Sequence, residues 1–541
     1  MRHYIRTAYG DLVKYFDEDN GSGTPIGGSG QGSGASPTIW ALVSTPIFDA
    51  LGRRGYGVFL KCAVSGDLLA FVGTVFVDDT DLIVTDKSLL YDENNTSIFD
   101  LLQSSLHLWE GFIRASGGAI RPNKSHWYLI DFEWEDGQWY YKEAMPQDPT
   151  LIVRNHQGIY EPVERVPVEE GRRMVGVYLA ADGSNTEQFN VLDNVIGEWT
   201  DKAQWSRLPC HLVWKSLMTG LMKKLTYPLP ATTLTLEQCN VLMASLLAVA
   251  LPSIGVNRHF PKVMVHAPLL IQGFAVPHPY VEHGLGHMQR FVETTMRPLD
   301  ITGHLFKVTV EQLNLELGVN GCPFTKPYLI WRPLATECLV THMWDFAHHY
   351  GLELISHSAD IPVLREGDKL FMENLVARNY RAPRALEQVN CCCLFLKLAR
   401  LSDVVTCCGR YIRQDAWDGQ SNPRKSAALF EWPRQGNPNG RDWQRWQDML
   451  VEIFGLQLQS LRVAVPLGQW QNSWHQWEWY QDEAAEIIYH IDEDNAQARA
   501  YCRQGQSFQL QAPLLHYGQL RKVSPCGKST FKLKKPALRF C

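Results

Sequence analysis

Two apolar runs rich in β-branched and aromatic residues, Leu68–Phe76 and Leu82–Val84, flank the acidic cluster Asp78-Asp79-Thr80-Asp81. Runs of this kind read as strands, and so short a connection makes them a hairpin with carboxylates at its turn. Acidic residues suit turns, and solvation alone explains most Asp-Asp pairs. A chemical explanation needs a reason to gather negative charge at one point. Hard divalent cations supply one, because Mg²⁺ takes carboxylate oxygens together with the phosphates of a substrate.

The chain around this hairpin alternates between helical and extended patterning. A glycine-rich stretch over 18–37 ends in Ser36-Pro37 and the apolar run Ile39–Val43. Serine suits an N-cap and proline the first helical position, so a loop feeds a helix here. Such a loop offers free backbone N–H groups to an anion or a closely packed ligand. Pro46 is expected to interrupt that helix, with Thr45 capping a new one. Residues 97–115 carry apolar positions at helical spacing, and further strands are expected at Trp127–Trp134, Trp139–Tyr141 and Met174–Leu179. From about 186 the pattern turns helical, with segments at Phe189–Trp199, Leu212–Leu225, Leu236–Ala250, Glu282–Thr295 and Glu337–His349. Tryptophans crowd the stretch Trp432–Tyr480, where helix packing is expected and a core role outweighs base stacking.

Composition narrows the function classes. At 541 residues, 45% hydrophobic and 20% charged, the chain suffices for three or four domains with sizeable cores. A net charge of -6 does not advertise a nucleic-acid binder, although local basic surface decides that question. The 13 cysteines include Cys391-Cys392-Cys393 and Cys407-Cys408 but no C-x2-C pair, which fits reduced, buried thiols better than disulfides or zinc. Met1-Arg2-His3-Tyr4-Ile5-Arg6 lacks a signal-peptide core. The most lipid-like run, Val241–Val256, falls short of the roughly 20 residues of a membrane span and contains Pro252. An intracellular protein, cytoplasmic or nuclear, without signal peptide or membrane helix is expected. Gly527-Lys528-Ser529-Thr530 lacks the first glycine of a P-loop, and His342, His348 and His349 lack the H-E-x-x-H pattern, so neither marks a site.

The order of short motifs is more specific than any one of them. Gly28-Ser29-Gly30-Gln31-Gly32-Ser33-Gly34-Ala35-Ser36-Pro37 fits G-x-x-Q-G-x-x-x-S-P at every fixed position. Phe76-Val77-Asp78-Asp79 follows, with Asp78 lying 41 positions after Pro37. Then come Ala115-Ser116-Gly117-Gly118-Ala119-Ile120-Arg121-Pro122-Asn123-Lys124-Ser125 and Arg172-Arg173-Met174-Val175-Gly176-Val177-Tyr178-Leu179. In this order the four resemble motifs B, C, D and E of the reverse transcriptases of non-LTR (LINE-type) retrotransposons. The resemblance covers residues 24–182 and is looser over 183–260.

That resemblance implies an α+β fold: a partial polymerase palm (antiparallel sheet with helices), then a mainly helical thumb and C-terminal region. The corresponding divisions are a palm over 1–182, a thumb-like region over 183–260, a helical region over 261–430, and a Trp-rich region with a basic tail over 431–541. It implies RNA-directed DNA synthesis by two-metal nucleotidyl transfer, with Mg²⁺ or Mn²⁺ as cofactor and an RNA template, a DNA primer and deoxynucleotide triphosphates as partners. Asp78 and Asp79 would be the metal ligands, and Lys124 would help protonate pyrophosphate. Gln31, Gly32, Ser36 and Pro37 would line the nucleotide and template side, and Gly176 would let the primer backbone approach. The family's motif A supplies a third carboxylate upstream of motif B. Here only Asp11, Asp17, Glu18 and Asp19 precede it, none in the required strand context. An N-terminally truncated palm, inactive alone, is therefore expected. The other reading is a non-enzymatic nucleic-acid-binding remnant, for which the basic tail (Arg521, Lys522, Lys528, Lys532, Lys534, Lys535, Arg539) would grip phosphates.

Overall fold

The computed structural model describes residues 36–76, 79–85, 97–115, 118–135, 138–145, 148–297, 300–355, 360–363, 365–380, 382–405, 409–419, 430, 432, 436–457, 459–468, 477–482, 487–492, 497–501, 507–509 and 520–523. They form a mixed α+β protein that divides into two compact units, one of residues 1–60 and 70–286, the other of residues 61–69 and 287–541.

The first unit is organised by the helix Ile98–Ala115, whose apolar positions serve two clusters. Trp109 joins Ile47 and Leu51 of the helix Ser36–Arg53, with the Phe48 and Trp109 rings 5.4 Å apart. Phe99, Leu102 and Leu106 pack instead on Trp127, Leu129, Leu151, Val153 and Val163. The expected interruption at Pro46 does not occur, and Ser36–Arg53 runs through it unbroken. Proline removes one N–H, and the carbonyl so released belongs to Leu42, which is 72% exposed and within reach of water.

The extended segments are shorter than their patterns suggest. Leu68–Phe76 is two strands, Leu68–Phe71 and Gly73–Phe76, in separate sheets. Trp127–Trp134 likewise divides into His126–Trp127 and Phe132–Glu135. Among the described residues of this unit the strands make two-stranded ladders rather than one antiparallel palm sheet, and the pair His126–Trp127 with Glu164–Arg165 is parallel. Strands of two to four residues offer too few ladder positions to recruit further neighbours.

Thr186–Trp205 and Leu236–Ser253 pack against each other. Leu236–Ser253 is opened by a capping box between Thr235 and Gln238, and buries Leu242, Met243, Leu246, Leu247, Ala250 and Leu251. By length and composition it could cross a membrane; in this fold those six side chains line a protein interior. The stretch Cys210–Thr226 is helical throughout but contains a π turn at Leu217–Leu221.

The second unit has one large core, in which Phe371 stacks on Trp446 at 4.9 Å and Trp344 is buried. The Trp446 indole donates to the Ala416 carbonyl at 2.7 Å, so this tryptophan serves packing, as expected. Cys392 and Cys393 are buried in the same core, and burial pushes both thiols far above their ordinary range, which keeps them protonated and inert.

The expectation of a mainly helical C-terminal region fails at the end of the tryptophan-rich stretch. Trp477–Asp482, Ile487–Asp492, Gln497–Tyr501, Ser507–Gln509 and Leu520–Val523 form an antiparallel five-stranded sheet, with Trp477–Asp482 paired between Ile487–Asp492 and Leu520–Val523. The acidic connections 483–486 and 493–496 punctuate runs too short for helices, and tryptophan density obscured that punctuation.

Candidate functional site

The acidic hairpin exists as a ladder. Gly73–Phe76 pairs antiparallel with Asp79–Leu82, from Gly73 opposite Leu82 to Phe76 opposite Asp79. That register leaves Val77-Asp78 as a two-residue connection, and Asp78 itself lies outside the described residues. Asp79 is exposed at the start of the returning strand. Asp81 follows on the same face and accepts a hydrogen bond from the Thr74 hydroxyl at 3.1 Å.

Asp81 connects this hairpin with two other segments. Burial raises its carboxyl above the usual range; the Thr74 hydroxyl and His126 work against that rise, and the like charge of Asp79 adds to it. His126, on the strand His126–Trp127, is held below the usual imidazole range by burial and then by Arg172, while Asp81, Glu164 and Glu170 favour its charged form. Arg172 Nη2 lies 2.7 Å from Glu164 Oε1 and 3.0 Å from Glu170 Oε1. The Tyr128 hydroxyl donates to the Glu170 carbonyl at 3.1 Å, and its ring meets His126 edge-on at 5.5 Å. The hairpin of Asp79 and Asp81, the strand that follows Lys124, and the segment that begins at Arg172 thus share one electrostatic neighbourhood.

Arg172–Leu179 is a hairpin, where one strand was expected over Met174–Leu179. Arg172–Met174 pairs with Val177–Leu179, and Val175-Gly176 is its two-residue turn. Both turn residues have positive φ, +47° and +85°, the pattern of a type I′ turn. Glycine adopts it freely. Valine does not, and a β-branched residue there costs on the order of 1–3 kcal/mol. The Tyr227 hydroxyl donates to the Val175 carbonyl at 2.7 Å, and its ring lies where a Cβ on Gly176 would come within 3.2 Å. Gly176 is therefore required by turn geometry and by an aromatic neighbour, rather than by a bulge within a strand.

The remaining expected residues fall as follows. Gln31 and Gly32 lie outside the described residues, whereas Ser36 and Pro37 open the helix Ser36–Arg53, as the Ser-Pro pair implies. Lys124 is exposed at the end of the single 3₁₀ turn Pro122–Lys124, two positions before His126. Asp81, His126, Arg172 and Tyr227 carried no assigned role in the sequence reading. Asp81 and Arg172 fall within the acidic cluster and the fourth motif, whereas no local signal marks Tyr227, whose bond to Val175 joins residues 52 positions apart.

In the second unit, Glu337, His342 and Asp345 bring three ligand-type atoms together. Arg332 already occupies that group, with Nε 2.6 Å from Asp345 and Nη2 2.7 Å from Glu337, so an ion-pair network explains it. No family model and no curated protein matches the chain.

Proposed function

We propose that residues 24–182 form a reverse-transcriptase-like palm segment that binds an RNA template paired to a DNA primer. One observation carries the reading. The segments resembling motifs C, D and E are far apart in sequence, yet Arg172 of the third pairs with Glu164, which lies opposite His126 just after the second, and the charge of His126 is favoured by Asp81 just after the first. A polymerase palm requires adjacency of this kind.

The donor set fits a hard divalent cation. Asp79 is exposed, and its charge opposes that of the half-buried Asp81 beside it, a repulsion that a bound cation would relieve. Asp78 and Asp79 would hold Mg²⁺ or Mn²⁺. When bound, the ions supply activation of a primer 3′-hydroxyl and stabilisation of departing pyrophosphate. On this reading Lys124 would give a proton to the pyrophosphate, and Gln31, Gly32, Ser36 and Pro37 would contact nucleotide and template. The Val175-Gly176 turn lies against the primer.

Fluorescence anisotropy with a labelled DNA primer annealed to RNA tests the proposal. Mg²⁺ is expected to tighten binding by the full chain, and Asp78→Ala to remove that response. An equal Mg²⁺ response in both proteins overturns the assignment of Asp78. So does robust primer extension on RNA by both proteins.

A further inference from the structure

We infer that Tyr227 is a positioning residue for the primer-side turn, its phenol holding Val175-Gly176 in a backbone form that this pair does not keep unaided. The inference rests on the reading of Arg172–Leu179 as the segment that meets the primer, and extends it to a residue outside the resemblance motifs.

Three observations converge on Tyr227. The first is the strain itself, with Val175 at φ +47° in a turn where Asn-Gly is the favoured pair. The second is exposure. Val175 is 36% exposed and Tyr227 59% exposed, so no surrounding core imposes the unfavourable backbone. The third is the means of restraint: a single phenol donates to the Val175 carbonyl at 2.7 Å while its ring covers Gly176. Strained backbone persists only where something over-determines it, and it gathers at ligand clamps.

The restraint also ties the turn to a basic element. Tyr227 directly follows the short helix Met222–Thr226, and its amide donates to the Lys223 carbonyl at 3.1 Å. Lys223 and Lys224 are both exposed on that helix. A turn fixed by a residue that directly follows a helix with two exposed lysines is suited to a phosphodiester backbone, with the lysines supplying charge and the turn a surface of defined shape.

The test uses the full chain and the labelled DNA primer–RNA template at low salt. Tyr227→Phe keeps the ring and removes the donor, and is expected to weaken binding about fivefold, the equilibrium weight of one net hydrogen bond. Val175→Asn creates Asn-Gly, a turn that holds itself, so in that background Tyr227→Phe should change the dissociation constant by less than about twofold. Urea denaturation of the same variants separates positioning of the turn from a general loss of stability, since the binding loss by Tyr227→Phe is expected in the absence of denaturant, where every variant is folded. Unchanged binding by Tyr227→Phe alone, or a full loss that persists in the Val175→Asn background, overturns the inference while leaving the primer reading intact. If the unaltered chain does not bind the hybrid, the primer reading fails and the inference fails with it.

Discussion

The turn at Val64-Ser65, in the second unit, and the turn at Val175-Gly176, in the first, are each held by one side chain from a distant stretch of sequence. Glu311, fully buried, accepts from the Val64 and Ser65 amides at 2.9 and 2.8 Å. Tyr227, largely exposed, donates to the Val175 carbonyl. Around Glu311 the backbone is otherwise ordinary: Gly66 takes the positive φ, and Val64 packs with Ala63, Leu315 and Ile361. Around Tyr227 the backbone is strained and little covers it. A buried anchor satisfies polar groups that folding has removed from water. An exposed anchor on a strained turn has no such service to perform, and that difference directs attention to a ligand.

Glu311→Ala has the largest expected effect on either turn. Two amides, one buried and one partly buried, would lose their acceptor, each at about 1–3 kcal/mol, so urea denaturation should show a loss of roughly 2–6 kcal/mol. Glu311→Gln keeps an acceptor oxygen and should lose much less. The ion pair between Lys307 and Asp67 ties the same segment but is more exposed and should contribute little. A wild-type denaturation midpoint for Glu311→Ala would show that the turn is fixed by its apolar packing alone.

What could be read from sequence divides along the same line. That a hairpin forms here was legible because β-branched alternation and a short acidic connection are local signals, but its returning strand is Asp79–Leu82 rather than Leu82–Val84, so Asp79, Thr80 and Asp81 lie on a strand and not in the turn. The helix Ile98–Ala115 was legible for the same reason. Neither anchor was. Glu311 reaches amides 247 and 246 positions away, and no periodicity encodes such a pairing. Positive φ at Val175 was hidden because valine in a strand-like run argues for extended backbone, and only the cross-strand register shows a turn there. Of the expected site residues, Asp79, Lys124, Gly176 and the backbone of Ser36 and Pro37 can be placed, while Asp78, Gln31 and Gly32 lie outside the described residues.

The next effects in size concern the strained turn itself. Gly176→Ala places a Cβ at φ +85° and against the Tyr227 ring, and should destabilise by about 1–2 kcal/mol. Val175→Asn should act in the opposite direction, by about 1 kcal/mol, because asparagine tolerates that backbone. Measured together by urea denaturation, the pair gives opposite signs at adjacent positions. Destabilisation by both would mean that the turn is not in the type I′ form.

A third anchor, unlike the other two, works only when uncharged. His278 precedes the helix Pro279–Thr295, and its Nδ1 accepts from the Tyr280 amide at 3.3 Å. Burial, then His266 and Lys262, pushes His278 down to about 4. The sign follows from linkage. With a folded value below the unfolded one of about 6.5, the unfolded chain binds more protons between the two, so the stabilisation is complete above pH 6.5 and is lost as pH falls toward 4. His278 is half-exposed, and solvent screening should keep its share well under about 1 kcal/mol per pH unit. His278→Asn retains an acceptor suited to a helix N-cap but cannot titrate. Other groups titrate in both proteins, so the informative quantity is the gap between the two denaturation midpoints at about pH 7.5 and about pH 5, which bracket the unfolded value. That gap should shift in favour of the asparagine variant at the lower pH, and a gap independent of pH would show that the His278 ring does not cap the helix.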